Sequence, residues 1–151
     1  MRVLAALFAL LVVSVPALGH DYQLGALKIG HPVARETIGQ SRITAGYLTV
    51  ENGGDEDDRL IGAESDGARV IEIHTHKMDG GVARMMKIDG LDVPAGGTAT
   101  LQPGGNHLMI FDVTGALEPG DTLPVTLIFE KAGSIDVDLN IEKIGGHNHA
   151  H

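Results

Sequence analysis

Residues 125–141 read Val125-Thr-Leu-Ile-Phe129-Glu-Lys-Ala-Gly-Ser-Ile135-Asp-Val-Asp-Leu-Asn-Ile141. Val125, Leu127 and Phe129 alternate with other residues, and so do Ile135, Val137, Leu139 and Ile141. A period of two puts each apolar set on one face of an extended chain, which is the signature of a half-buried strand. Short β-branched runs at Ile43–Val50, Val70–His76, Val82–Ile88, Thr98–Leu101 and His107–Val113 extend the same reading toward the N-terminus. Gly-Gly pairs beginning at Gly53, Gly80, Gly96, Gly104 and Gly145 punctuate the chain. A helical period is hard to find beyond residue 20, so helix is expected to be minor. Seven strands at regular spacing predict an antiparallel sandwich or barrel.

The bulk properties agree with one such domain. The chain has 151 residues, a length that suits a single core. Hydrophobic residues make up 43%, mostly aliphatic, while aromatics are only 3% and Trp is absent. That is ample apolar material to fold, and 21 glycines favour turns over helices. The formal charge of −9 is the wrong sign for neutralising phosphate, which disfavours nucleic acid and anionic lipid as partners. The absence of cysteine excludes disulfides, zinc–thiolate clusters, thiol nucleophiles and a blue-copper centre.

The first nineteen residues read as an export signal. Arg2 precedes the apolar run Val3–Val13, and Ala17-Leu18-Gly19 supplies the small residues of a cleavage point. The run is shorter than the roughly 20 residues that span a bilayer. The expected division is therefore 1–19 signal peptide, 20–144 folded domain and 145–151 polar tail, with no membrane insertion after cleavage. The acidic segment Glu51-Asn-Gly-Gly-Asp-Glu-Asp-Asp58 lacks the ligand spacing of a calcium loop and reads as a solvated hairpin loop.

Chemistry is concentrated between residues 74 and 109. His74, His76, His107 and the methionines Met78, Met85, Met86 and Met109 all fall there, and the only other methionine is the initiator. Residues two apart in a strand share a face, so His107 and Met109 point away from the core residues Leu108 and Ile110. The same test sets His74 with Glu72 and His76, opposite Ile71 and Ile73. It places Met86 with Val82 and Ile88 as a core residue, and turns Met85 the other way. His31, beside Pro32, reads as structural. His74, Met85, His107 and Met109 thus form a set of two imidazoles and two thioethers. Thioether sulfur is a soft neutral donor that Cu(I) accepts and hard cations do not, and imidazole suits copper too. His76 and Met78 stand as auxiliary donors. His147, His149 and His151 in the tail form a further set that suits Cu(II).

The spacing H-x10-M-x21-H-x-M, filled by His74, Met85, His107 and Met109, resembles the signature of the periplasmic copper chaperones called PCuAC. Supporting stretches are Ile29-Gly-His-Pro-Val-Ala-Arg35, Ala45-Gly-Tyr-Leu-Thr-Val-Glu-Asn52, Glu72-Ile-His-Thr-His76 and Pro103-Gly-Gly-Asn-His-Leu-Met109. The similarity runs from about Asp21 to Ile144; Val33 departs from a Trp that many relatives carry. The resemblance implies a cupredoxin-like Greek-key β-sandwich or barrel that binds Cu(I) through those four residues. It also implies a periplasmic location and delivery of copper to the CuA centre of cytochrome c oxidase subunit II, or to another periplasmic copper chaperone. The tail is similar to the Cu(II)-binding extensions of some relatives.

Two other functions fit parts of the sequence. A copper-sequestering protein needs the same Cu(I) affinity and differs only in transfer kinetics. A copper oxygenase would use the amine and imidazole of His20 after cleavage, although nothing else specifies an oxygen-activating pocket. No Ser-His-Asp constellation is present to suggest a hydrolase. The expectation is a carrier without enzymatic activity.

Overall fold

A computed structural model describes residues 21–145. Residues 1–19, expected to be a signal peptide, His20 and the tail histidines His147, His149 and His151 lie outside the described residues. Eleven strands and no helix make up the described chain: β1 (Tyr22–Leu24), β2 (Leu27–Arg35), β3 (Ile43–Asn52), β4 (Asp58–Ser65), β5 (Ala68–Asp79), β6 (Val82–Ile88), β7 (Leu91–Val93), β8 (Thr98–Leu101), β9 (His107–Val113), β10 (Thr122–Phe129) and β11 (Gly133–Glu142). Seven of them close on themselves in the order β2-β11-β10-β4-β5-β9-β3 and back to β2. Every pairing around this ring is antiparallel except β2 with β11. The result is the expected cupredoxin-like all-β barrel, with β1, β6, β7 and β8 added outside the ring.

All seven runs expected from the sequence are strands, and four more were not legible as such. β2 is interrupted by Gly30-His31-Pro32, where the register with β3 shifts and His31 takes a φ of 49°. A bulge of this kind breaks the alternation that identifies a strand. β4 opens within the acidic segment, and its register shifts against both neighbours. β1 and β7 are three residues each.

The barrel interior is aliphatic. Ile29, Val50, Leu60, Leu108, Ile110, Leu127 and Leu139 are buried from different strands of the ring. Gly46 lets the wall close at one point: a Cβ there would lie 3.2 Å from Leu139 and 3.4 Å from Leu108. Asp58 corrects the reading of residues 51–58 as wholly solvated. It is buried, and its carboxylate accepts N–H bonds from Arg59 (2.7 Å), Lys131 (2.9 Å) and Ala132 (3.0 Å). Burial pushes that carboxyl up, but the three backbone donors and the Lys131 charge outweigh it and hold the group below its ordinary value. Buried Asn52 ties the neighbouring loop, donating to the Glu56 and Val93 carbonyls.

Candidate metal centre

Strand register sets the geometry of the His/Met region. On β5 and β9, His74 stands directly opposite His107 and Glu72 opposite Met109. On β5 and β6, His76 is opposite Met85 and Lys87 opposite His74. Cross-strand partners project from the same face, so His74, Met85, His107 and Met109 share one face of three adjacent strands, with His76 and Met78 on it as well. The two imidazoles form the middle of the set. Met109 lies one step below them and Met85 one step above, each step being two residues or about 6.7 Å along a strand.

Burial grades across this face. His107 is only 4% exposed, His74 and Met109 are partly covered, and Met85 is 53% exposed on the outermost strand. The ring of His107 lies 5.8 Å from that of His74 and 5.3 Å from that of His76, centroid to centroid. Phe111, two residues beyond Met109 on the same face, stands 6.1 Å from His74 and walls it on the other side. His76 is thus as close to His107 as His74 is, which the sequence reading ranked lower. Among the described residues no three His, Asp or Glu side chains gather tightly enough to hold a metal alone.

Hydrogen bonds orient both central rings. The Nδ1 of His107 is 3.0 Å from the Gly105 carbonyl, which can only accept, so Nδ1 carries the hydrogen and Nε2 is the nitrogen left to offer a lone pair to a metal. That carbonyl is fixed by a tight turn in which Gly105 N–H donates to Gln102 O and Gln102 N–H to Asn106 O. The Nε2 of His74 is 2.7 Å from Glu72 Oε2, and its Nδ1 is buried with no partner. A buried ring nitrogen without a partner costs free energy unless something fills the position. Glu72 also meets Lys87 at 3.5 Å. The bond from His74 and the charge of Lys87 hold the Glu72 carboxyl below its usual value against partial burial. Metal-binding imidazoles are commonly held in this way, one nitrogen tied to a carboxylate or carbonyl and the other free. Glu72 and Gly105 were not singled out from the sequence. Glu72 was readable as a face-mate of His74, whereas the Gly105 carbonyl emerges only from the folded turn.

Met86 corrects an expectation. It does share a face with Ile88, as the alternation implied, yet it is 46% exposed. The reason is that β5 pairs with β9 only as far as His74, and residues 75–79 pair with β6 alone. The outer part of this hairpin extends past the barrel, so no interior exists there to bury Met86. Met78, near the tip, is 68% exposed. His31 is exposed on the β2 bulge, away from the set of facing strands described above.

The comparisons with known proteins are in keeping with this architecture. The fold is similar to the copper-bound PCuAC domain from PmoF2, with a TM-score of 0.72 and 30% identity over 83% of this chain and 99% of that one. The apo PCuAC domain from PmoF1 gives 0.72 and 29% over 83% of this chain and all of that domain. The solution structure of CuI-DR1885 from Deinococcus radiodurans gives 0.58 and 30%, covering 74% of this chain and 76% of that one. In sequence, the chain is 31% identical over 109 residues to "Putative lipoprotein Lxx21020" of Leifsonia xyli subsp. xyli, covering 72% of this chain. It is 32% identical over 127 residues to "Uncharacterized protein RP573" of Rickettsia prowazekii, covering 82% of this chain. The matches span 66% and 70% of those two relatives' own lengths. No helix among the described residues is long and apolar enough to cross a membrane. The family described as "Putative lipoprotein LpqE-like" matches residues 27–141, and this chain belongs to that family.

Proposed function

We propose that this protein is an exported copper carrier that holds Cu(I) with His74, Met85, His107 and Met109 and releases it to a thiolate acceptor. The observation that carries the reading is the pair of facing imidazoles, each with one nitrogen committed to a protein acceptor, the buried Nδ1 of His74 being left without a partner. Two thioethers on the same face complete a soft, uncharged donor set, which favours the monovalent ion over Zn(II) or hard cations. The structural neighbours include a copper-bound PCuAC domain and a CuI-loaded protein, which supports copper as the cargo. The export signal and the lipoprotein name of a relative support a location outside the cytoplasm.

The graded burial suggests an order of release. Exchange is substitution of neutral ligands by thiolates, with no change in oxidation state. The exposed Met85 sulfur is displaced first and the buried His107 nitrogen last, so the ion is never free in water. His76, whose ring lies 5.3 Å from that of His107, and Met78, one step further out on the same face, would receive the ion in passing. The acceptor proposed is the CuA domain of cytochrome oxidase subunit II.

Competitive titration of residues 20–151 with Cu(I), Cu(II) and Zn(II) tests the reading. One Cu(I) per chain is expected, with tight binding lost in His107→Ala and in Met109→Ala. Undiminished stoichiometry in the fourfold substitution of His74, Met85, His107 and Met109 would defeat it. Transfer to an apo CuA domain faster than dissociation to a chelator indicates delivery; equal rates indicate storage.

A further inference from the structure

The outer half of the β5–β6 hairpin is not needed by the barrel and is not covered by it. Beyond His74 its residues pair only within the hairpin, and β6 pairs with no other strand among the described residues. The turn at Gly80-Gly81, with φ of 58° and 85°, matches the two-residue loop that keeps such a ribbon straight and twisted. One face of the ribbon carries His76, Met85 and Met78, belonging to the copper region. The opposite face carries Thr75 with Met86, Lys77 with Arg84, and Asp79 with Val82 as direct cross-strand pairs. Val82 and Met86 on this face are among the exposed large hydrophobic residues.

The charge of this ribbon runs against that of the molecule. Residues 77–87 hold three of the ten Lys and Arg side chains found after residue 20, but one of the 20 acids. Lys77 and Arg84 are directly opposite one another, an arrangement of like charges that raises the energy of an isolated ribbon. Neither forms an ion pair among the described residues. Protection of a free sheet edge accounts for cations on either strand, since residues 75–79 of β5 pair with β6 alone, but not for setting two of them directly opposite one another. A carboxylate supplied from outside relieves the repulsion, and flanking Val82 and Met86 give it an apolar border.

We propose that this face of the β5–β6 ribbon docks a protein partner in copper exchange whose surface around its own metal site is rich in carboxylates. The proposal rests on the copper-carrier reading for the partner's role. Lys77 and Arg84 project from the side of the ribbon opposite Met85, so a partner seated on them reaches that outermost proposed ligand around the free edge of β6. The acidic remainder of the molecule repels such a partner, so the ribbon also steers its approach.

The test is a metal-free titration of isotope-labelled protein with an apo CuA domain chosen for carboxylates around its metal mouth, followed by amide chemical shifts. Perturbations are expected at residues 75–88, with affinity at least about tenfold weaker at about 300 mM salt than at about 20 mM. The double substitution Lys77→Glu and Arg84→Glu should abolish them while Cu(I) affinity and melting temperature stay as in the wild type. Perturbations elsewhere, or wild-type binding by the double variant, overturn the proposal. Binding to phosphatidylglycerol vesicles or dimerisation, either lost in the double variant while the CuA domain binds unchanged, also overturns it in favour of a lipid or self-contact. Because the titration uses no copper, ribbon shifts with no Cu(I) binding would sink the carrier reading alone.

Discussion

Single residues on the proposed copper face divide into those that would touch the ion and those that aim them. Glu72 belongs to the second kind: it ties Nε2 of His74 and leaves Nδ1 open. Glu72→Ala is expected to weaken Cu(I) about 10- to 100-fold, the usual cost of losing a partner that orients a metal-bound imidazole. Competition against a Cu(I) chelator reads the loss, and an unchanged melting temperature shows that it is local. Asp58 gives a residue-level prediction that concerns stability alone. Its carboxyl is held below its unfolded value, so its contribution is present above about pH 4 and fades as pH falls through the folded value. Asp58→Asn should cost about 1–3 kcal/mol at neutral pH. Urea unfolding should show the gap to the wild type narrowing below about pH 4; a gap independent of pH would contradict this account.

At the scale of elements, the β5–β6 hairpin behaves differently from the barrel strands. Its outer residues bury little and are joined to the rest only through β5. Local opening without global unfolding is expected where buried contacts are few. Amides of residues 76–86 should exchange with solvent orders of magnitude faster than those of residues 108–110, whose side chains Leu108 and Ile110 are wholly buried. Gly81→Val forces a β-branched residue into a φ of 85° and should fray the hairpin further. Its effect should fall on exchange at the tip, with little change in denaturant midpoint. Equal protection across both segments would show that the hairpin is part of the cooperative core.

For the whole molecule, closure of the ring rests on the contact of opposite walls. Leu108 on β9 and Leu139 on β11 both approach Gly46 on β3. Each Leu→Ala change should destabilise by about 2–5 kcal/mol, and the double substitution should deviate from additivity by more than about 0.5 kcal/mol. Additive effects in denaturant titrations would mean that the two walls do not share one packed centre. Most of this architecture was legible from local pattern, because alternation in Val125–Phe129 and Ile135–Ile141 needs nothing beyond neighbours two residues apart. Strand β2 escaped because the Gly30-His31-Pro32 bulge breaks that period, and Asp58 escaped because two of its three donors lie more than 70 residues away. The common face of the four proposed donors was likewise a matter of spacing: the parity that turns these side chains to one side is fixed by the chain itself. Which imidazole nitrogens are free, how near His76 comes to His107, and the exposure of Met86 depend on strand register and on where β9 stops pairing with β5. Those are long-range facts, set by how distant segments fit against one another, and only the folded molecule decides them.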